Sequence, residues 1–541
     1  MQFFYNQKRE WGSYAQRSVA MGQWGMVASS QLLASLTGHK VLSKGGNAID
    51  AAVAMVSTLS VVEPFSVGVG GDAFALIYLA KENKVIGMNA SGRAPYGASL
   101  EWFRSRGISV MPDRGILSVT VPGALHGWAQ AIEQYGTWNL ADLFEDAIYY
   151  AENGFPVTEI ISGEWKNMED FLNCFEGASR NYLIGGKAPR PGQVFSNKDL
   201  ARTYRKIAQE GIQAFYEGDI CKLLVDLSQS NGGLLSYEDF RSNKTTWVEP
   251  IWSDYRGCRV YELPPNGQGI TALEMLNILE GYDIARLKHN SPEYLHILTE
   301  AKKIAFNDRD RYITDPDFEK IPVDMLLSKD YAGKRREEIN FDRARVDFVP
   351  ALCNRGSETV FLAAVDEQRN AVSFISSLYT PFGSGMVADG TGIILQNRGS
   401  SFSLDPKLLN RLEPHKRPMH TIIPGMVFEN GMFTMCFGVM GGEMQPQGHV
   451  QFLINLIDFK MNLQEALDAP RARHMEGDQI YLEEGIPEET AWALQKKGHH
   501  IVQRPRGVNE VGGGQAIYLD REQNVLLGAS DRRKDGAAIG Y

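Results

Sequence analysis

A predicted β-hairpin in the middle of the chain constrains the fold most strongly. Residues 359–365 and 371–376 have the composition of strands, and the polar segment DEQRN at 366–370 separates them. If this segment forms the turn, Val365 lies opposite Ala371, and the same register places Thr359 opposite Ser377. Cross-strand neighbours have Cβ atoms about 4.5–5.5 Å apart, so the two hydroxyl groups would be in contact.

This predicted contact has two interpretations, and spacing alone favours the first, a Thr–Ser pair on a strand surface. A hydroxyl group is a poor nucleophile without a base. The sequence contains no GxSxG motif, and its ten histidines form no HExxH or other metal-ligand spacing. The second interpretation is a chain cut before Thr359. The new α-amine, with a pKa of about 7.7–8.0, would then act as the base.

Helices are predicted mainly in the first part of the chain and strands in the last part. Residues 29–62 indicate two helices, the first capped by Ser29 or Ser30 and ended by Gly45-Gly46. Asn47 would cap the second, which is apolar on all sides and therefore buried. Strands dominate after residue 358, which suggests sheets packed between helical layers.

The charged, irregular segment 338–358 is predicted to be an exposed linker, and it is the best candidate for a domain boundary. A chain of 541 residues is long enough for about three domains or for one large layered unit. The composition alone does not decide between the two.

The net charge of -10 argues against a general nucleic-acid binder, which would carry a basic face. The N-terminal residues contain no apolar core of a secretory signal, and no run of 18 apolar residues predicts a membrane span. We therefore expect a cytoplasmic protein that binds neither nucleic acid nor membrane. The five cysteines form no CxxC pair and are predicted to be buried free thiols.

Ten motifs in the same order make the sequence resemble the gamma-glutamyltransferase (gamma-glutamyltranspeptidase) family of N-terminal-nucleophile hydrolases. The resemblance extends from about residue 25 to Tyr541. The motifs are GGNAIDAAVA (45–54), EPFSVGVGGDAFALIY (63–78), VPGALHGW (121–128), LPPNGQG (263–269), DRDRYITDPDF (308–318), RNAVSF (369–374), FGSGMVADGTGIILQNR (382–398), RPMHTIIP (417–424), MGGEMQPQGHVQ (440–451) and ASDRRKDGAAIGY (529–541).

The resemblance implies an α+β fold, a four-layer αββα sandwich in which two chain segments are interleaved. It also implies a precursor that cuts itself between Glu358 and Thr359, giving a large segment, 1–358, and a small segment, 359–541. Thr359 would then be the catalytic nucleophile of an amidohydrolase. The expected partners are a small-molecule amide, water or an amine acceptor, and the second cleavage product in a heterodimer that can oligomerise further. No cofactor and no metal are expected.

The resemblance also assigns roles to other positions. Ser377 lies where the family has a threonine that hydrogen-bonds the nucleophile, in agreement with the hairpin register. Gly441-Gly442 matches the oxyanion hole of the family, although MGGE alone would be interpreted as an ordinary turn. One further alternative is a non-catalytic family member that binds a small acidic ligand. Retention of the nucleophile and the two glycines argues against it.

The substrate pocket departs from the family pattern. The family arginine that grips a substrate carboxylate is replaced by Ser91, and Arg93 is the candidate substitute, although a surface arginine is an equally good interpretation. The asparagine, glutamine and aspartate that hold the amino-acid head group are replaced by Tyr379, Arg398 and Ser401.

The usual Ser-Ser pair of the family is replaced by His420-Thr421. Because the acid that pairs with a substrate ammonium is missing, a glutaryl group, as in cephalosporin acylases, is an alternative to a gamma-glutamyl group. Outside these positions, GVGGDA at 68–73 is interpreted as a tight turn, DRDRY at 308–312 as a charged helix face, and His499-His500 as surface residues.

Overall fold

The computed structural model describes residues 14–15, 17–346, 358–502 and 510–541. The strands are β1 (Ala20–Gly22), β2 (Met26–Ser29), β3 (Asp72–Leu79), β4 (Lys84–Ala90), β5 (Phe155–Pro156), β6 (Val194–Phe195), β7 (Thr246–Val248), β8 (Ile251–Tyr255), β9 (Cys258–Glu262), β10 (Glu358–Val365), β11 (Ala371–Tyr379), β12 (Gly425–Glu429), β13 (Met432–Val439), β14 (Ala472–His474), β15 (Gln479–Leu482), β16 (His500–Val502), β17 (Gly514–Asp520), β18 (Val525–Ser530) and β19 (Ala537–Gly540).

The α-helices of the described residues surround these strands. They are α1 (Leu32–Ser43), α2 (Ala48–Val62), α3 (Leu100–Ser105), α4 (Ala124–Tyr135), α5 (Leu140–Leu143), α6 (Glu145–Asn153), α7 (Glu159–Asn167), α8 (Glu169–Asn173), α9 (Glu176–Tyr182), α10 (Lys198–Glu210), α11 (Gln213–Tyr216), α12 (Asp219–Ser230), α13 (Tyr237–Arg241), α14 (Gly269–Leu279), α15 (Pro292–Tyr312), α16 (Val323–Leu326), α17 (Lys329–Arg336), α18 (Met444–Ile457), α19 (Leu463–Asp468) and α20 (Glu488–Lys496).

Two seven-stranded antiparallel sheets form the centre of the molecule. One has the strand order β1-β18-β17-β13-β12-β9-β8 and the other β19-β2-β10-β11-β3-β4-β7. One apolar cluster fills the space between the sheets, with Phe361 from the second sheet and Cys436 from the first among its members. A second cluster packs the outer face of one sheet against helices, and a third cluster does the same for the other sheet. The predicted αββα sandwich is confirmed.

Side chains of β10 alternate between two of these clusters, as the period of a strand requires. Val360 and Leu362 pack toward the helices, whereas Phe361 and Ala363 face the space between the sheets. The alternation places the Thr359 side chain on the inner side, where its strand ends. The site is therefore built at one end of the cleft between the two sheets.

The predicted hairpin register is confirmed from Val365 opposite Ala371 to Val360 opposite Ser376. A β-bulge then shifts the pairing, so that Glu358 lies opposite Tyr379. Bulges of this kind redirect a side chain at a strand end and are frequent beside active sites.

The helix caps are confirmed in part. Asn47 caps α2 through a capping box with Asp50. The prediction that Ser29 or Ser30 caps α1 is wrong, because Gln31 accepts the hydrogen bond from Leu33 N. Ser29 ends the short strand β2 instead, and Ser30 Oγ donates to Glu63.

Strands from both predicted segments are neighbours within each sheet. β10 pairs with β2, and β11 pairs with β3. In the other sheet, β12 pairs with β9. The two segments therefore share both sheets. Of the predicted linker 338–358, residues 347–357 lie outside the described part of the chain.

The prediction of buried free cysteines has a mixed outcome. Cys221, Cys258 and Cys436 are buried free thiols as predicted, but Cys174 is exposed; Cys353 lies outside the described residues. Within the described ranges, no helix combines the length and the apolar character needed to cross a membrane.

Candidate active site

Thr359 and Ser377 form the centre of the candidate active site. The Thr359 side chain is fully buried, and its Oγ1 lies 3.0 Å from Ser377 Oγ. Ser377 Oγ also accepts a hydrogen bond from Tyr379 N at 2.8 Å. The backbone of Tyr379 has a positive φ of 80°, which is uncommon for a bulky residue. The bulge and this turn together hold the two hydroxyl groups in contact.

The Gly441-Gly442 turn precedes helix α18. Both glycines have positive φ values, 118° and 58°, which L side chains rarely adopt. Met444 N donates to the carbonyl oxygen of Gly441, and Gln445 N donates to that of Gly442. A fixed turn of this kind at a helix N-terminus can direct backbone N–H groups toward a developing negative charge.

A series of hydrogen bonds between buried side chains holds this turn in place. Gln268 Nε2 donates to Gly442 O at 3.0 Å and to Thr421 O at 2.7 Å. Its Oε1 accepts from Arg309 Nη1 at 3.0 Å, and Arg309 Nη2 donates to Glu443 Oε1 at 3.0 Å. We call Gln268, Arg309 and Glu443 the support triad.

The support triad corrects one sequence-based prediction. DRDRY was expected to be a charged helix face, but Asp308 and Arg309 are each only 2% exposed. Arg309 is neutralised by Asp310 and Glu443 at 2.7 and 3.0 Å. The sequence of a charged helix does not show whether its charges are buried, because the ion-pair partners can come from distant segments.

Arg398 is fully buried next to Tyr379 and Thr421. Its Nη1 donates to Thr421 Oγ1 at 2.8 Å, and its guanidinium carbon lies 4.0 Å from the centroid of the Tyr379 ring. Burial lowers the pKa of Arg398 to about 10. Within the described residues, Arg398 Nε and Nη2 have no hydrogen-bond partner.

A cavity of about 230 Å³ joins these parts of the site. Tyr379, Ser401 and Thr421 form one part of its lining, and Glu443 forms another. Tyr379 follows Ser377 by two residues, and Glu443 directly follows Gly442. The cavity therefore lies next to the end of the hairpin and next to the glycine turn, and three of the predicted substrate-binding residues, Tyr379, Ser401 and Thr421, line it.

Asp72 and His420 form a buried pair that the sequence analysis did not consider. His420 Nε2 lies 3.1 Å from Asp72 Oδ2, and Gly92 N donates to Asp72 Oδ1 at 2.9 Å. Burial, aided by the nearby positive charge of Arg398, lowers the pKa of His420 to about 4, so His420 is neutral and donates Nε2–H to Asp72. Asp72 lies opposite Ser377 in the sheet, on the same face.

Arg93, the predicted substitute for the family arginine, does not join the residues around the cavity. Its guanidinium donates to Asp315 at 3.0 Å, to Asp317 at 2.5 Å and to the carbonyl oxygen of His415. Ser91, which the resemblance places where the family has its arginine, donates a hydrogen bond from Oγ to Asn89 Oδ1 at 2.7 Å. The two aspartates already satisfy the charge of Arg93.

The prediction that His499 and His500 are surface residues is right only for His500. His499 is buried, and its Nε2 lies 2.8 Å from His296 Nδ1. These two rings and Glu300 are the group of potential metal ligands found among the described residues. Lys303 Nζ donates to Glu300 at 2.8 Å, so the carboxylate is already paired with a cation.

The two sheets packed between helical layers are the architecture of the N-terminal-nucleophile hydrolases, and Thr359 is the second residue of an inner strand. The sequence model described as Gamma-glutamyltranspeptidase matches residues 34–541, and the chain belongs to this family.

Similar proteins cover nearly the whole chain. The "Glutathione hydrolase-like YwrD proenzyme" of Bacillus subtilis (strain 168) is 40% identical over 95% of this chain and 98% of its own length. The "Acylase ACY 1 proenzyme" of Pseudomonas sp. (strain SE83) is 36% identical over 97% and 95%. The crystal structure of cephalosporin acylase from Bacillus halodurans has a TM-score of 0.91 at 41% identity, over 99% of both chains.

Proposed function

We propose that this protein is a self-processing amidohydrolase in which Thr359 is the nucleophile. It would cleave gamma-glutamyl amides or related acyl amides through an acyl-Thr359 intermediate. The observation that carries the proposal is the 3.0 Å contact between the hydroxyl oxygens of Thr359 and Ser377 at the bulged end of β10.

Maturation would begin with attack of Thr359 Oγ1 on the carbonyl carbon of Glu358. The peptide C–N bond breaks, its nitrogen takes up a proton and becomes the free α-amine of Thr359, and an ester to Oγ1 remains. Water then adds to the ester carbon, which releases the carboxylate of Glu358 and restores the hydroxyl group. Two chains result, 1–358 and 359–541.

Turnover would reuse the same hydroxyl. The α-amine takes the proton of Oγ1 while the oxygen attacks the substrate amide. The N–H groups of Gly441 and Gly442 would stabilise the oxyanion, and Ser377 would hold Oγ1 in place. The leaving amine departs with the proton, and water, or an amine acceptor, removes the acyl group.

The names of similar proteins support the substrate class. Two relatives are called a glutathione hydrolase-like proenzyme and an acylase proenzyme, which agrees with amide cleavage after processing. The cytoplasmic location stays a prediction from composition.

Intact mass and N-terminal sequencing of purified protein would test the proposal. We expect a new chain that begins Thr-Val-Phe, and hydrolysis of gamma-glutamyl-p-nitroanilide or glutaryl-p-nitroanilide. Thr359→Ala should stay one chain without activity, whereas Thr359→Ser should retain slow processing because a hydroxyl remains. A wild-type protein that stays uncut after long incubation and releases no p-nitroaniline would refute the proposal.

A further inference from the structure

We propose that Arg398 is the binding site for a carboxylate on the acyl part of the substrate. The substrates would then be monoamides of short dicarboxylic acids, whether or not they also carry an amino group. This inference rests on the proposed function, because it concerns the acyl group that Thr359 would accept.

The first observation is the state of the Arg398 guanidinium. It is fully buried, it makes one side-chain hydrogen bond, to Thr421, and its Nε and Nη2 have no partner among the described residues. A buried charge is costly unless it is paired and hydrogen-bonded. A carboxylate can accept two parallel hydrogen bonds from the planar guanidinium. Such a ligand would give Nε and Nη2 hydrogen-bond partners and would also pair the buried charge.

The second observation is the contrast with Arg309 and Arg471, two other buried arginines. Arg309 is paired with Asp310 and Glu443. Arg471, another fully buried arginine, is paired with Asp531 at 2.7 Å. No carboxylate of the described residues lies within ion-pair distance of Arg398. A carboxylate from a ligand is therefore the partner that this position lacks.

The third observation is location. Thr421, which accepts from Arg398, and Tyr379, which stacks on it, both line the 230 Å³ cavity. Tyr379 N is bonded to Ser377 Oγ, which contacts Thr359 Oγ1. Arg398 itself lies buried behind these two lining residues, and three direct contacts lead from it to the nucleophile. We therefore expect a short acyl chain with its amide at Thr359 to place its carboxylate at Arg398.

An amino group on the substrate would add little to recognition. The resemblance places Ser401 where the family has an aspartate. Glu443 lines the same cavity, but its carboxylate is already paired with Arg309. The carboxylate is therefore the main determinant, and the gamma-glutamyl and glutaryl groups are expected to be accepted similarly.

Four p-nitroanilides of matched chain length separate the two charges: glutaryl, gamma-L-glutamyl, 4-aminobutyryl and butyryl. A charge-assisted hydrogen bond contributes about 1.5–3 kcal/mol, so kcat/KM for the two carboxylate donors should exceed that for the other two by about 10- to 100-fold. Arg398→Gln should bring this ratio close to one. Arg93→Gln is the matched control and should keep the ratio, because Arg93 is held by Asp315 and Asp317.

Thermal melting with glutarate and with butyrate gives a readout besides activity. Glutarate should raise Tm of the wild type but not of Arg398→Gln, and butyrate should raise neither. Equal turnover of butyryl and glutaryl amides, or a carboxylate preference that survives Arg398→Gln or disappears in Arg93→Gln, would overturn the inference. A protein that neither cuts itself nor turns over any donor, yet is stabilised by glutarate through Arg398, would refute the proposed function and leave the carboxylate site standing.

Discussion

At the scale of single residues, removal of the Ser377 hydroxyl group is the most specific test of the site. Its oxygen accepts from Tyr379 N at 2.8 Å and lies 3.0 Å from Thr359 Oγ1. Ser377→Ala would leave the Thr359 oxygen free to rotate during attack. A hydrogen bond to a charged or reacting oxygen contributes about 1.5–3 kcal/mol, so we expect kcat and the rate of self-cleavage to fall about 10- to 100-fold.

Ser373→Ala is the matched control for that measurement. Ser373 lies on the same strand and the same face, is equally buried, and donates to Phe437 O at 3.1 Å. Both variants lose one buried hydroxyl group, so their Tm values should fall by similar amounts. An equal loss of kcat in the two variants would show that Ser377 acts only through the stability of β11.

The contact between Thr359 and Ser377 could be predicted because turn length alone sets the register of a hairpin. Asp72 could not be placed in the same way, because β3 is distant in sequence and its pairing with β11 is a tertiary contact. Once the pairing of β3 is known, the alternation of side chains along the strand shows where Asp72 faces. Asp72 lies on the same face as Phe74 and Leu76, which point to the inner side.

At the scale of elements, the support triad joins the start of α14, the last turn of α15 and the turn before α18. Gln268 is the member that contacts two backbone carbonyl groups, those of Thr421 and Gly442. In Gln268→Ala both carbonyl groups would lose a donor, and the glycine turn would be held less firmly. Because removal of one oxyanion donor costs about 2.7–4 kcal/mol, a partial misalignment should lower kcat at least about tenfold, with a smaller change in KM.

Gln451→Ala provides a control of the same type. Gln451 is also buried, and its Nε2 donates to Gln447 O at 3.1 Å and to Ala472 O at 2.9 Å. Both variants should lose about 1–3 kcal/mol of stability, but only Gln268→Ala should lower kcat measured at saturating substrate. Similar kcat values in the two variants would contradict a positioning role for Gln268.

Elements with strong local patterns were predictable, and short or tertiary ones were not. The all-apolar sequence of α2 and its Asn47 cap predict a buried helix, and the structure has one at Ala48–Val62. The short strands β2 and β19 have weak local signals and form because each pairs within a sheet. The charges of Asp308 and Arg309 were misinterpreted for the same reason, since burial depends on partners elsewhere.

At the scale of the whole molecule, neutral buried histidines should make the fold sensitive to acid. Burial lowers the pKa of His420 to about 4 and that of His499 to about 3, and it lowers that of His474 well below 6.5. Lys302 and Lys303 add to the effect at His474. The unfolded chain takes up protons as the pH falls through about 6.5, whereas the folded chain does not. Stability should therefore be fully present above this pH and decrease toward pH 4.

Melting temperatures at about pH 7.5, 6.5, 5.5 and 4.5 measure this loss. His474→Gln should make the decrease shallower, because an amide can replace the acceptor for Lys302 Nζ and the donor to Gly477 O without titrating. His500 is exposed, so His500→Gln is the control and should follow the wild type. A Tm that stays constant from about pH 7.5 to 4.5 would contradict the prediction.

The interleaving of the two segments decides what self-cleavage can do to the molecule. Five strand pairings join residues before the junction to residues after it: β1 with β18, β2 with β10, β2 with β19, β3 with β11, and β9 with β12. Cutting one peptide bond removes none of these ladders and leaves the cluster between the sheets intact.

The cut protein should therefore elute from a sizing column as one particle, at the same volume as uncut Thr359→Ala, and unfold in urea in one transition recorded by both fluorescence and circular dichroism. Residues 1–358 expressed alone would expose the inner faces of both sheets and should aggregate. Separation of the two chains in buffer without denaturant would show that the ladders across the junction do not hold the sandwich together.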